Sequence, residues 1–232
     1  MTDAHPAKMP PCTICGNTTY SPGPNGRMAA KGTLPPRCDG CGALERHRIV
    51  RRVYDAIPQD RLTGARALQF SPDPGVPTER LGDVELSVYG TETSLDMARI
   101  DRSDGIYDWV IANHVLEHIK DDKAAMREML RVVSATGVIQ LTIPAPSAVF
   151  ETWELPEPEP DPGGWGHWRG YGSDFPIYMG VVLKGAFGVQ VVSDDPVTGR
   201  WDVVYLFTKS RDTMLALGDA LIAARLPTLR AV

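Results

Sequence analysis

Tyr107-Asp108-Trp109-Val110-Ile111-Ala112-Asn113-His114-Val115-Leu116-Glu117-His118-Ile119 holds a short apolar run that stops at a polar pair. Such a run, from Asp108 to Ala112, reads as a buried strand, with Asn113 and His114 at its carboxyl end. Similar short strands recur at Arg66 to Phe70, Val84 to Val88 and Gly137 to Ile143, separated by helix or loop. That alternation predicts an α/β fold with a largely parallel sheet. Downstream of the quoted run, Met126, Met129, Leu130 and Val133 form an apolar stripe. They predict a helix from about Asp122 to Val133, with Asp121 accepting from its free N–H groups. Ser134-Ala135-Thr136-Gly137 then reads as a tight turn into Val138 to Ile143, closed by Pro144. Upstream, Ile49, Val50, Val53 and Ile57 predict a helix over Leu44 to Ile57, ended by Pro58.

The C-terminal third is less regular. Glu154 to Gly166 alternates proline with acidic residues, a composition that cannot pack, so a mobile surface loop is expected over about 151–175. Gly188 to Val192 and Trp201 to Thr208 read as two strands joined by the turn Asp194-Asp195-Pro196-Val197-Thr198-Gly199. They predict an antiparallel hairpin at one sheet edge, and a helix from Thr213 to Ala224 is expected to close the chain.

The strongest chemical signal lies at the other end. Cys12-Thr13-Ile14-Cys15-Gly16 and Cys38-Asp39-Gly40-Cys41-Gly42 are two copies of C-x-x-C-G, with 22 residues between the pairs. Two residues between thiolates let one tight turn present both sulfurs to a single ion, and the following glycine accepts a positive φ so that amides can face the sulfurs. Cys12, Cys15, Cys38 and Cys41 are therefore expected to hold one tetrahedral metal, read as zinc, although four thiolates also suit iron. A fourth cysteine leaves no open coordination position, so this metal is structural and catalysis is sought elsewhere.

Bulk properties bound the rest. At 232 residues the chain holds one main domain with an appendage, and 43% hydrophobic with 23% charged residues is an ordinary globular balance. The net charge of −5 argues against a surface that wraps nucleic acid. Arg46, His47, Arg48, Arg51 and Arg52 form the one basic cluster, read as a solvated helix face. No apolar run has the length of a signal peptide or a membrane span, so a cytoplasmic protein without membrane contact is expected, in a compartment where paired cysteines suit metal better than disulfides.

The run from Tyr107 to Ile119 resembles the fourth-strand motif of class I S-adenosylmethionine-dependent methyltransferases, an F-D-hydrophobic-hydrophobic stretch followed by V-L-E-H. Asp121-Asp122, Arg127 to Val133, Gly137 and Ile143-Pro144 are similar to that family's next helix and fifth strand. The cysteine pairs followed by Leu44-Glu45-Arg46-His47-Arg48 look like a bacterial subgroup in which such a module precedes the methyltransferase domain. A segment like His167-Trp168-Arg169-Gly170-Tyr171-Gly172-Ser173-Asp174 recurs late in the domain of that subgroup. The resemblance implies a zinc-ribbon-like module over 1–45 and a Rossmann-like methyltransferase domain over 46–232.

The same resemblance implies a site. The family's glycine-rich first motif corresponds here to Ala67-Leu68-Gln69-Phe70-Ser71-Pro72-Asp73-Pro74-Gly75, which has one glycine and two prolines that lack N–H donors. Phe70, Ser71, Gly75 and Asn113 are then the expected cofactor contacts, with Glu92 as the ribose carboxylate and Asp96 facing the adenine. His114, with Asn113, is the candidate for base or substrate contact, because open α/β sheets bind ligands past the carboxyl ends of their strands. Independently of the resemblance, His167, Arg169 and Tyr171 follow the expected mobile loop and are candidates to close over a substrate, with Arg169 suited to a carboxylate or phosphate, and His118 reads as structural. The implied function is methyl transfer from S-adenosylmethionine to an unidentified acceptor; the acidity of the chain favours a small metabolite or a sugar-derived group. The alternative is an inactive methyltransferase-like scaffold that recognises a protein partner through its zinc module.

Overall fold

The apolar runs do become strands, and the computed structural model describes residues 9–29, 33–144, 148–157 and 166–231. In chain order these form β1 (Tyr20–Ser21), β2 (Arg37–Cys38), α1 (Glu45–Ala56), β3 (Arg66–Phe70), β4 (Asp83–Ser87) and β5 (Tyr107–Asn113). There follow α2 (Asp122–Val132), β6 (Val133–Thr142), β7 (Trp153–Glu154), β8 (Arg169–Gly170), α3 (Phe175–Val182), β9 (Phe187–Asp194), β10 (Trp201–Thr208), α4 (Arg211–Ala223) and β11 (Thr228–Ala231). The chain divides into a small unit of residues 1–55, 73–77 and 193–202 and a large unit of residues 56–72, 78–192 and 203–232. Among the described residues no helix is long and apolar enough to cross a membrane.

The large unit is built on a seven-stranded sheet of order β11-β9-β10-β6-β5-β3-β4. Neighbours β4, β3, β5 and β6 run parallel, as the Ala67↔Val84, Ala67↔Trp109 and Trp109↔Val138 partners record. This is the Rossmann-like sheet of the α/β class, and its central strands are apolar on both faces because helices or loops cover both. Leu68, Val110 and Ala112 from the sheet meet Met126 and Met129 from α2 in one fully buried cluster. The Asp121 carboxylate accepts from the Ala124 amide at 2.9 Å and fixes the start of α2.

Three elements differ from the sequence expectation. The chain passes from α2 straight into β6 at Val133, with a register shift against Tyr107 and Trp109 where a separate turn was expected. Helix α3 follows the expected loop, with Pro176 in its first turn, where proline's missing N–H costs nothing. Finally, α4 does not close the chain: Arg225 takes φ 61, the chain reverses, and β11 adds antiparallel to β9. The sheet edge on that side is therefore β11 and not the β9–β10 hairpin. Of the expected mobile loop, 158–165 lies outside the described residues, and its described flanks are not loose: Trp153–Glu154 pairs antiparallel with Arg169–Gly170, and Arg169 and Tyr171 are buried.

In the small unit the two knuckles have the same backbone pattern. Cys12 N donates to Asn17 O and Gly16 N to Cys12 O, both at 2.8 Å, while Cys38 N donates to Ala43 O at 2.9 Å and Gly42 N to Cys38 O at 2.8 Å. Gly16 and Gly42 take φ 75 and 72, the left-handed turn that glycine adopts without steric cost. The basic cluster on α1 is not all solvated: Arg48 is wholly buried. Its guanidinium donates to both Asp195 carboxylate oxygens, at 2.7 and 2.8 Å, and to the Ala43 and Pro36 carbonyls. A carboxylate two residues into a surface-type turn supplied the partner that local sequence could not reveal.

Candidate functional site

The four cysteine sulfurs lie within 4.8 Å of one another. Cys12 Sγ is 3.8 Å from Cys41 Sγ, and Cys15 Sγ is 3.5 Å from Cys38 Sγ. Zinc–thiolate bonds of ~2.3 Å in a tetrahedron place sulfurs about 3.8 Å apart, so the donor set fits one four-coordinate ion of that size. Burial opposes ionisation of Cys38, but the amides of Cys41 and Gly40 and the Cys15 thiol bring it down to about 7; burial holds the Cys41 thiol up at about 12. Gly40 is required by close approach, since a Cβ there would come within 3.1 Å of Cys15 Sγ.

In the large unit the strand order reverses between β3 and β5: β4 lies on one side of β3 and β5 on the other. Ligands of open α/β sheets bind past the carboxyl ends of strands at such a switch point. The residue directly after each of these strands takes a left-handed conformation, Ser71 at φ 65 and His114 at φ 51. Neither is glycine, and such backbone strain of about 1 to 3 kcal/mol gathers at ligand sites. The amide of Ser71 donates to Ser87 O at 2.9 Å and that of His114 to Thr142 O at 3.0 Å, so both turns are tied to their neighbouring strands.

Asn113 is buried beneath His114, its Oδ1 accepting from Gln140 Nε2 at 2.6 Å and from Thr142 Oγ1 at 3.0 Å. His114 Nδ1 stands 3.7 Å from Glu117 Oε1, whose carboxylate is 1% exposed. Phe70 is buried in the core beside these strand ends. Glu92 and Asp96 are exposed on the segment after β4, and Asp96 Oδ1 accepts from the Ala98 amide at 2.9 Å. Gly75 falls in the small unit, where a Cβ would come within 2.3 Å of His47 O and where the glycine amide donates to Asp73 Oδ1 at 2.6 Å.

Arg169 and Tyr171 are buried, at 3% and 2% exposure. Arg169 donates to the carbonyls of Ile119 at 2.5 Å and Lys120 at 2.7 Å, and its Nε lies 3.5 Å from Asp122 Oδ2. Tyr171 donates to the same Asp122 oxygen at 2.7 Å, as does Tyr178 at 3.0 Å. Burial, reinforced by the Asp122 carboxylate, pushes both phenols well above their ordinary value, so they stay neutral donors. Of the three late candidates, His167 alone keeps partial exposure, beside His118 with ring centroids 4.7 Å apart.

A family model described as a methyltransferase domain matches residues 43–174, more than half of the chain. The chain belongs to this methyltransferase-domain family. Several solved structures are similar at low identity. The YcgJ protein from Bacillus subtilis is 11% identical over 71% of this chain and 99% of that one, with a TM-score of 0.45. A candidate methyltransferase from Bacillus halodurans is 10% identical over 68% and 95%, with a TM-score of 0.43. An S-adenosylmethionine-dependent methyltransferase from Thermotoga maritima is 12% identical over 71% and 91%, with a TM-score of 0.40. A search of curated protein sequences gave no match.

The matched methyltransferase domain begins after the cysteine module and ends at Asp174, so the module, α3 and all later strands lie outside it. Within it, sequence reasoning passed over two groups. Glu117 was quoted only as part of a motif, yet its spacing of three from His114 on a turn is the signal that the two side chains meet. Asp122 read as one more residue of a helix start, and only the tertiary fold shows that it gathers Arg169, Tyr171 and Tyr178. Two cavities in the large unit lie away from the switch point. One, of about 370 Å³, sits among α3, β9, β10 and β11; the other is at the amino ends of β3, β5 and β6.

Proposed function

We propose that this methyltransferase domain transfers a methyl group from S-adenosylmethionine to a small acceptor, at the crevice past the carboxyl ends of β3 and β5. The observation that carries the reading is the pair of left-handed residues, Ser71 and His114, at the switch point of the sheet. The residues there fit the cofactor in part. Ser71 makes the sharp turn that glycine usually makes, and the Glu92 and Asp96 carboxylates have the chemistry to accept from ribose hydroxyls and an adenine amine. S-adenosylmethionine, when bound, supplies a methyl group carried on a sulfonium sulfur.

His114 would receive the acceptor's proton, with the buried Glu117 carboxylate 3.7 Å away to orient the imidazole. Asn113, held by Gln140 and Thr142, fixes the strand end from which His114 projects. His167 faces the acceptor, and Arg169 and Tyr171 act as positioning residues that anchor its segment to Asp122. A net charge of −5 favours a small metabolite or a sugar-derived group over a polyanion as acceptor. The four cysteines hold a structural zinc, since a filled thiolate tetrahedron has no place for substrate.

A second reading, a scaffold that binds a protein partner through the zinc module, is favoured by one feature. Pro72 and Pro74 have no N–H, and the Gly75 amide already donates to Asp73, so this loop offers few donors to a cofactor carboxylate. Calorimetric titration of the zinc-loaded chain with S-adenosylmethionine and S-adenosylhomocysteine separates the two. Binding of both at roughly micromolar Kd, weakened at least about tenfold in Asp96→Ala, is the expected outcome. No heat from folded, cofactor-free protein would reject the enzyme and leave the scaffold.

A further inference from the structure

The single 3-10 turn Leu116–His118, just past the crevice, presents Glu117 and His118 side by side, and His167 comes to them from a segment some fifty residues later. One ligand atom from each of Glu117, His118 and His167 lies within 4.8 Å of the others. We propose that these three side chains form a second metal site, separate from the cysteines, which takes a divalent transition cation such as zinc, cobalt or iron(II). Two imidazoles and one carboxylate are the donor types these ions prefer, and magnesium or calcium would want more oxygen than the triad offers.

The triad is held by main-chain bonds and not only by the chance approach of side chains. Trp168 N donates to Glu117 O at 2.9 Å, which ties the residue after His167 to the turn that carries the other two. The Arg169 guanidinium donates to the two carbonyls just past that turn, Ile119 and Lys120, and Lys120 Nζ caps the Trp168 ring at 4.8 Å from its centroid. Such outer bonds set the orientation of metal ligands before the ion arrives. The His118 and His167 rings meet edge to face at 75°, so their nitrogens can converge on one point without stacking.

Electrostatics favour the same reading. A carboxylate 1% exposed is costly unless it is paired or coordinates a metal. His114 at 3.7 Å is one partner, and it is cationic only when protonated. A divalent ion held by Glu117, His118 and His167 adds charge that does not depend on that proton. Three protein ligands leave at least one coordination position for water or for an oxygen of a bound molecule, unlike the filled cysteine tetrahedron.

The metal site shares Glu117 and His167 with the proposed methyl-transfer site, but its readout is the ion and needs no cofactor, so either reading can fail without the other. Untagged full-length chain, carrying zinc on its cysteines, is titrated with Co²⁺ while visible absorption and metal content are followed. Cobalt held by nitrogen and oxygen gives weak ligand-field bands without the thiolate charge-transfer absorption of a cysteine site. The expected result is one such equivalent per chain above the cysteine-bound zinc, lost in His118→Ala/His167→Ala while zinc stays on the cysteines. A second zinc already present, absent from the same variant, would count equally in favour. Wild-type protein that takes up no second ion at a hundredfold excess of Co²⁺ overturns the proposal, whatever the folding of the variant. So does a second equivalent that survives both the double variant and Glu117→Gln.

Discussion

The small and large units are held together by different forces. In the large unit a cluster of more than twenty buried apolar side chains from sheet and helices excludes water, so stability is spread over many contacts, each of modest size. The small unit has a short stretch of strand pairing, β1 with β2, and its specific ties are polar: the cysteine cluster, the buried Arg48–Asp195 pair and the Arg27–Glu45 pair. Burial alone would raise the Glu45 carboxyl, and the Arg27 guanidinium outweighs it and holds it low. The part of the small unit before α1 buries few large apolar side chains, whereas α1 itself buries Ile49, Val50, Val53 and Tyr54; a segment of the first kind depends on a few specific links and fails when one is removed, while a region with a large core loses stability by increments.

The largest expected effect tests that contrast directly. Removal of the proposed cysteine-bound zinc by a strong chelator should withdraw an apparent ~10 to 16 kcal/mol of metal-coupled folding from the small unit, and Cys38→Ser a part of it. Hydrogen exchange should then show amides of residues 12–44 losing protection while β5 and β6 keep theirs. Equal loss in both regions would erase the distinction.

Next in size is Arg48→Met, which leaves the Asp195 carboxylate buried without its cation and should cost about 3 to 5 kcal/mol in denaturant unfolding. The double change Arg48→Met/Asp195→Asn should recover part of it, since it removes the stranded charge and keeps an acceptor for the Thr198 amide and hydroxyl. In the large unit, Met129→Ala should cost about 2 to 5 kcal/mol through the cavity it leaves, without altering metal content. Smallest is Asp121→Ala, which removes the acceptor at the start of α2 and should lower the midpoint of thermal unfolding by an amount equivalent to about 1 kcal/mol.

Strands β3, β5 and β10 and helices α1 and α2 were legible because their signals are local. A continuous apolar run, a stripe at helical spacing and a capping Asp121 each need only neighbouring residues. Strand β11 was missed for the opposite reason: it is four residues long, its Leu229 is exposed, and it exists because β9 offers it an edge. Arg48 carried a misleading local signal, since a basic run reads as a wet face until a distant carboxylate neutralises one member. Arg169 and Tyr171 are expected to close over a substrate because they follow a segment whose composition cannot pack, and the fold turns them inward onto Asp122.

By itself the sequence determined the cysteine cluster, the parallel sheet and the methyltransferase resemblance, because spacing within a motif and hydropathy along a run are properties of the chain before it folds. Only the tertiary structure decided which polar groups meet. It set His114 beside Glu117, brought His167 to His118, and put Asp195 on Arg48, since contacts between residues far apart in the chain depend on how whole elements pack.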